Sequence, residues 1–117
     1  MESLESMAKI GKPQPDERVY EMQAAICKAF ANPIRLHMLD LCSQGERSVS
    51  ELQEALDISA TNVSQHLTIL KAAGVVATRR EGKQIFCSLA IPQVKQACGL
   101  IRDVLRARLA NGRDLAV

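Results

Sequence analysis

The chain is poor in aromatic residues: it has no tryptophan, one tyrosine and two phenylalanines in 117 residues. Leu, Ile, Val, Ala and Met must therefore fill its core. A chain of this length builds one small domain, and small domains gain much from oligomerisation. No run approaches the roughly 18 consecutive apolar residues of a membrane span. The N-terminus lacks the basic start and apolar core of a secretory leader. A cytoplasmic location with no membrane partner is the expectation, and Cys27, Cys42, Cys87 and Cys98 are then thiols at rest, not a disulfide framework. No Cys-x-x-Cys occurs, which argues against a local zinc knuckle. No Gly-rich phosphate loop, paired-carboxylate constellation or Cys/His arrangement emerges; His37 and Cys42 share a helix but point in different directions. An enzyme is thereby excluded. There are no repeats or low-complexity tracts, and the net charge of +2 says little by itself. Its distribution says more: acids lead near the N-terminus (Glu2, Glu5, Asp16, Glu17, Glu21), whereas bases gather later.

What is present centres on Ser59–Gly74. Ser59 is a good helix N-cap. Ala60, Val63, Leu67 and Leu70 then recur on one face of a 3.6-residue helix. Thr61, Ser64, Gln65 and Thr68 fall on the opposite face, which is neutral and rich in short hydrogen-bonding groups. An ordinary solvated face carries Glu and Lys pairs instead. Gln can bond an adenine edge bidentately, and Ser or Thr can bond bases or phosphates. Gly74 suits a left-handed helix stop. Upstream, Ser48 and Glu51 have the spacing of a capping box, opening a short helix to about Leu56, and Asp57-Ile58-Ser59 is the tight connection. After Gly74 the period changes to two. Val75–Arg80 and Gln84–Ala90 read as strands around a Glu81-Gly82-Lys83 turn, with Arg79, Arg80 and Lys83 at its tip. A helix-turn-helix followed by a basic hairpin is a winged helix.

Three further helices complete the pattern. The first runs from Asp16 or Glu17 to Ala31, with Val19, Met22, Ile26, Ala29 and Phe30 as its stripe. Asn32-Pro33 breaks it. The second runs from about Pro33 to Ser43, with Ile34, Met38 and Leu41 recurring and Leu39 beside them. The last starts near Pro92 as N1 and stops at Asn111-Gly112; Val94, Ala97, Cys98, Ile101, Val104, Leu105 and Leu109 form its stripe. With little left to cover within its own subunit, this helix is expected to pack, with the first, against a second copy. Val19, Met22, Ile26, Val94, Cys98, Ile101 and Leu105 are the candidate dimer contacts. The fold class is mainly α with a two-stranded wing: four helices, two strands, one helix. Residues 1–15 read as a flexible arm, either a frayed terminus or a segment touching DNA or the partner subunit. Residues 16–112 are the domain and 113–117 a tail.

The segments Ser64-Gln65-His66-Leu67, Leu70-Lys71, Gly74-Val75-Val76, Arg79-Arg80-Glu81-Gly82-Lys83 and Phe86-Cys87-Ser88-Leu89 together resemble the ArsR/SmtB family of bacterial repressors. Phe30-Ala31-Asn32-Pro33-Ile34-Arg35-Leu36 is similar to that family's entry into its second helix. The resemblance spans about Arg18 to Leu109. It implies a homodimer joined by the first and last helices, binding double-stranded operator DNA with a two-fold inverted repeat. Thr61, Asn62, Ser64, Gln65 and His66 on the recognition helix, with Lys71, Arg79, Arg80 and Lys83, are the candidate DNA contacts. His66 is read as packing or phosphate-contacting before metal-ligating. Arg35 is read as a phosphate contact or a salt bridge.

The resemblance also implies a signal that releases DNA: a metal ion, a metalloid or thiol modification. One family site enters the third helix through cysteines, and the corresponding Arg47-Ser48-Val49-Ser50 has none. Another uses Asp and His on the last helix, and Pro92–Leu109 holds Asp103 but no His. A third subgroup bridges a thiol on the second helix to one near the end of the last; the matching positions hold Asp40 and approximately Arg106. Cys42, Cys98 and Cys27 are the sensing candidates, with Cys42, near a helix end, expected to be the most exposed. Cys87 alternates with Ile85 and Leu89 and is expected to be buried. A thiol-reactive inducer, a soft metalloid such as arsenite and no inducer at all stay open. No cofactor is certain. A winged helix serving protein–protein contact is the reading outside this class.

Overall fold

The structure, a computed structural model, describes residues 16–110. The expected arm at 1–15, the tail at 113–117 and the stop at Asn111-Gly112 lie outside the described residues. The elements are α1 (Glu17–Phe30), α2 (Pro33–Ser43), β1 (Arg47–Ser48), α3 (Val49–Leu56), α4 (Ala60–Ala72), β2 (Val76–Glu81), β3 (Gln84–Leu89) and α5 (Gln93–Leu109).

Local chemistry sets most boundaries. The Asp16 carboxylate accepts from the Val19 N–H at 3.2 Å and caps α1. Asn32 Oδ1 accepts from the N–H groups of Ile34 (2.9 Å) and Arg35 (3.1 Å), and Pro33 occupies the first turn of α2. The capping box at α3 is complete: Glu51 N–H donates to Ser48 Oγ at 3.0 Å, and Ser48 N–H donates to Glu51 Oε1 at 2.8 Å. Asp57 closes α3 in the left-handed region (φ 55°), which Asp tolerates better than most residues. Helix α4 ends in a full Schellman motif. Gly74 N–H donates to Lys71 O, Val75 N–H reaches Leu70 O, and Gly74 takes φ 78°. Pro92 flanks α5 one position earlier than expected, as its N-cap.

The sheet differs from the expected two strands. It has three, in the order β1-β3-β2, all antiparallel, with Arg47 opposite Cys87 and Thr78 opposite Cys87 on the other side. Strand β1 is two residues long and carries no period for a sequence pattern to reveal. Glu81 belongs to β2 and pairs with Gln84, so the turn is Gly82-Lys83 alone.

The core forms where α2, α3 and α4 meet the inner face of the sheet and the first turn of α5. Met38, Leu39, Leu52, Val63, Leu70 and Cys87 are its most enclosed side chains. Each large aliphatic so placed contributes about 1.5–3 kcal/mol relative to exposure. Helix α1 adds only Ala29 to the fully buried set. Val94, expected at the dimer face, is instead buried in this core beside Leu39 and Leu89. The sheet and α2 give the start of α5 a floor that periodicity within α5 does not reveal.

Candidate nucleic-acid interface

Helix α4 turns Val63, Leu67 and Leu70 into the core, which fixes its rotation. Thr61, Asn62, Ser64, Gln65, Thr68 and Lys71 are thereby exposed together. Ser59 Oγ accepts from the Asn62 N–H at 3.1 Å and holds the first turn. Thr68 Oγ1 donates to Ser64 O at 2.9 Å. A cleft of about 440 Å³ runs between α3, α4 and the hairpin, with Ser50, Gln53, Ser64, Thr68, Lys71 and Lys83 on its walls. Lys83 at the hairpin turn and Lys71 near the end of α4 face this one depression. Strand alternation puts Arg80 on the same side as Thr78, which also lines the cleft. Arg80, Lys83 and the polar face of α4 thus make one basic-rimmed surface.

Arg79 stands apart from the other two wing cations. Its guanidinium donates to both Glu46 oxygens (2.9 and 2.7 Å) and to Glu81 (2.6 Å), and lies 4.4 Å from the Phe86 ring centroid. Two carboxylates more than neutralise it. The hydrogen bond from Arg79 holds the Glu46 carboxyl below the usual glutamate range. Arg79 therefore ties the hairpin to the loop before β1. Glu46 lies in the short loop before β1, and nothing in the local sequence links it to a residue 33 positions on.

His66 is half-buried, and its Nδ1 lies 3.3 Å from an Arg35 terminal nitrogen. Burial, followed by the nearby Arg35 charge, lowers its pKa. A guanidinium only donates, so Nδ1 accepts and the ring is neutral, leaving Nε2–H to donate elsewhere. Among the described residues Arg35 forms no salt bridge. Its Nε donates to Ala29 O at 2.7 Å and its other terminal nitrogen to Lys28 O at 3.4 Å. Arg35 thus caps the exposed carbonyls of α1 and links α1, α2 and α4.

The thiols also rearrange. Cys42 is not the most exposed: it is 5% accessible, and its Sγ is 3.6 Å from that of Cys87, which is 0% accessible as expected. The fully buried residues of α2 are Met38, Leu39 and Cys42; the expected Ile34 and Leu41 pack against the core partly buried, and Cys42 joins the face because α2 is covered on two sides. Cys27 is the exposed thiol, on α1. Cys98 is half-buried between α5 and α2, where burial and then Asp40 push its pKa up. Among the described residues no group of three or more His, Cys, Asp or Glu is arranged to hold a metal ion, and no helix is long and apolar enough to cross a membrane. Of the remaining dimer candidates, Val19, Met22, Ile26 and Ile101 are exposed and Leu105 is half-buried.

Residues 32–78 match the family model described as bacterial regulatory protein, arsR family. The chain is 37% identical over 98 residues to an uncharacterised helix-turn-helix regulator, Rv0081, of Mycobacterium tuberculosis, spanning 83% of this chain and 85% of the relative. It is 44% identical over 90 residues to a biofilm growth-associated repressor of Agrobacterium fabrum, spanning 74% and 76%. The crystal structure of Rv0081 superposes with a TM-score of 0.75 at 35% identity, over 82% of this chain and 97% of that one. The homodimeric winged helix-turn-helix domain of Mb0332 from Mycobacterium bovis superposes with 0.76 at 32% identity, over 90% and 99%. With the fold, its cleft and these relatives together, the chain belongs to the arsR family of DNA-binding transcriptional regulators and is not an enzyme.

Proposed function

We propose that the protein is a homodimeric repressor that binds an inverted-repeat operator and is released by a signal acting on its cysteine thiols. The observation that carries the DNA geometry is the exposed, uncharged face of α4 flanked by Lys71, Lys83 and Arg80. In this reading α4 enters the major groove with Thr61, Asn62, Ser64 and Gln65 nearest the base edges. Lys71, Arg80 and Lys83 neutralise phosphates, His66 offers Nε2–H to the backbone, and Arg79 positions the wing. The apolar residues left exposed on α1 and α5, among them Met22 (69%), Leu100 (65%) and Val104 (68%), support a second copy as the partner. Two-fold symmetry then sets half-sites about one helical turn apart.

The signal reading rests on thiols of different exposure. A change in packing between subunits would alter the distance between the two α4 helices and cost affinity for a fixed spacing. A metalloid site is the second reading, and it would draw thiols from two subunits, because the described residues of one subunit bring no three ligands together. The test is fluorescence anisotropy with DNA from upstream of the protein's own gene, first fully reduced, then after a mild oxidant, then with arsenite. Binding when reduced, lost on oxidation and regained with reductant, is the expected result. Loss with arsenite alone favours the metalloid reading, and no binding in the reduced state overturns the proposal.

A further inference from the structure

The closest pair of thiols in the fold is one that neither the sequence pattern nor the resemblance singles out. Cys42 sits in the last turn of α2 and Cys87 in the middle of β3, 45 positions later, with their sulfurs 3.6 Å apart inside the core. A disulfide needs about 2.05 Å, so a closure of under two ångströms joins them. Cys87 pairs across the sheet with Thr78 of β2 and Arg47 of β1, so it lies in the central strand that carries the wing. We propose that Cys42 and Cys87 form a disulfide within one subunit when exposed to a peroxide, and that this bond, by drawing β3 onto α2, re-aims the wing and weakens DNA binding. The inference deepens the thiol reading above and rests on it for its DNA consequence, while the bond itself does not.

The roles of the two sulfurs differ. The Cys42 and Cys87 thiols share a hydrogen bond; that bond and the nearby Arg47 guanidinium hold Cys42 below the usual thiol range against the opposing effect of burial. Cys87, the deeper group, is pushed up by the same hydrogen bond and by burial. Cys42 is also the one with residual access. Its thiolate attacks the peroxide: an S–O bond forms, the O–O bond breaks, and hydroxide leaves. Cys87 sulfur then attacks the Cys42 sulfenic acid. The S–S bond forms, the S–O bond breaks, and the departing hydroxide takes the Cys87 proton as water. Two thiols are oxidised and one peroxide is reduced to two waters.

The experiment uses the full chain carrying Cys27→Ser and Cys98→Ala, so that only this pair remains. After hydrogen peroxide and thiol blocking, intact mass is expected to fall by two hydrogens. A tryptic species should join residues 36–47 to 84–95, bounded by Arg35, Arg47, Lys83 and Lys95. Anisotropy on the same sample should show about tenfold weaker DNA binding, restored by reductant. Cys87→Ala, a volume-reducing change in the core, is checked by circular dichroism. Cys42→Ser is the second variant, and either one should abolish the linked species. Absence of the linked peptide in the folded protein overturns the inference. A linked peptide with unchanged DNA affinity overturns its regulatory half. Failure of the reduced protein to bind DNA, with the linked peptide present, overturns the DNA reading and leaves the bond standing.

Discussion

At the scale of single residues, the positions that matter most are those whose backbone or partner leaves no substitute. Gly74 holds φ 78° with open space where a Cβ would go. Gly74→Ala therefore meets a conformational penalty and no clash, about 1–2 kcal/mol. A lower urea midpoint with an unchanged m-value would show it, and an unchanged midpoint would contradict it. His66 gives a second expectation. Its pKa is lowered, so the folded state favours neutral imidazole. The stability this group contributes is complete above the pKa of an unfolded histidine and is lost as pH falls through the lowered value. An NMR titration should find the His66 midpoint below the usual histidine value, and Arg35→Met should raise it. These residues also mark what a sequence can reveal. Ser48 with Glu51, Asn32 with Pro33, and Gly74 act on neighbours within a turn, and each was legible. Cys42 with Cys87, Arg79 with Glu46, and Arg35 with His66 are 45, 33 and 31 positions apart, and only the folded chain brings them together.

At the scale of elements, periodicity located each helix of the described residues because each has one face committed to the core. It misjudged how far that commitment goes. Helix α2 is covered on two sides, so the thiol expected outside is inside. The first turn of α5 rests on α2 and β3, so Val94 left the dimer set, while Leu100 and Val104 further along stay exposed. Strand β1 was invisible because two residues define no period. The division within α5 makes a prediction. Val104→Glu places a charge on a face that one subunit leaves in solvent, so folding is spared. Two facing carboxylates at a two-fold interface repel each other and lose hydration. Sedimentation should report one chain in place of two, with circular dichroism unchanged. Binding to a two-half-site operator should fall about a hundredfold or more as avidity is lost. A dimer that survives the change would move the interface elsewhere.

At the scale of the whole molecule, the fold is a support that aims one helix and one hairpin at a common depression. The net charge of +2 does not announce this. The arrangement does, because Glu46 and Glu81 absorb Arg79 while Lys83 and Lys71 line the cleft and strand alternation puts Arg80 on the same side of β2 as Thr78. Arg79 was legible as a wing cation, and its pairing partner was not, so sequence alone overcounts the unpaired positive charge on the wing. A dimer offering three phosphate contacts per subunit should release counterions on binding, with log affinity against log salt sloping at about −5.

The most direct measurement is therefore that slope, from anisotropy titrations of the reduced protein on its inverted-repeat DNA, for the natural sequence and for Arg80→Ala/Lys83→Ala. The account predicts a linear fall that flattens to a slope of about −2 once those four contacts per dimer are gone. A slope left unchanged by the double substitution, or binding indifferent to salt, would contradict the placement of the wing on DNA.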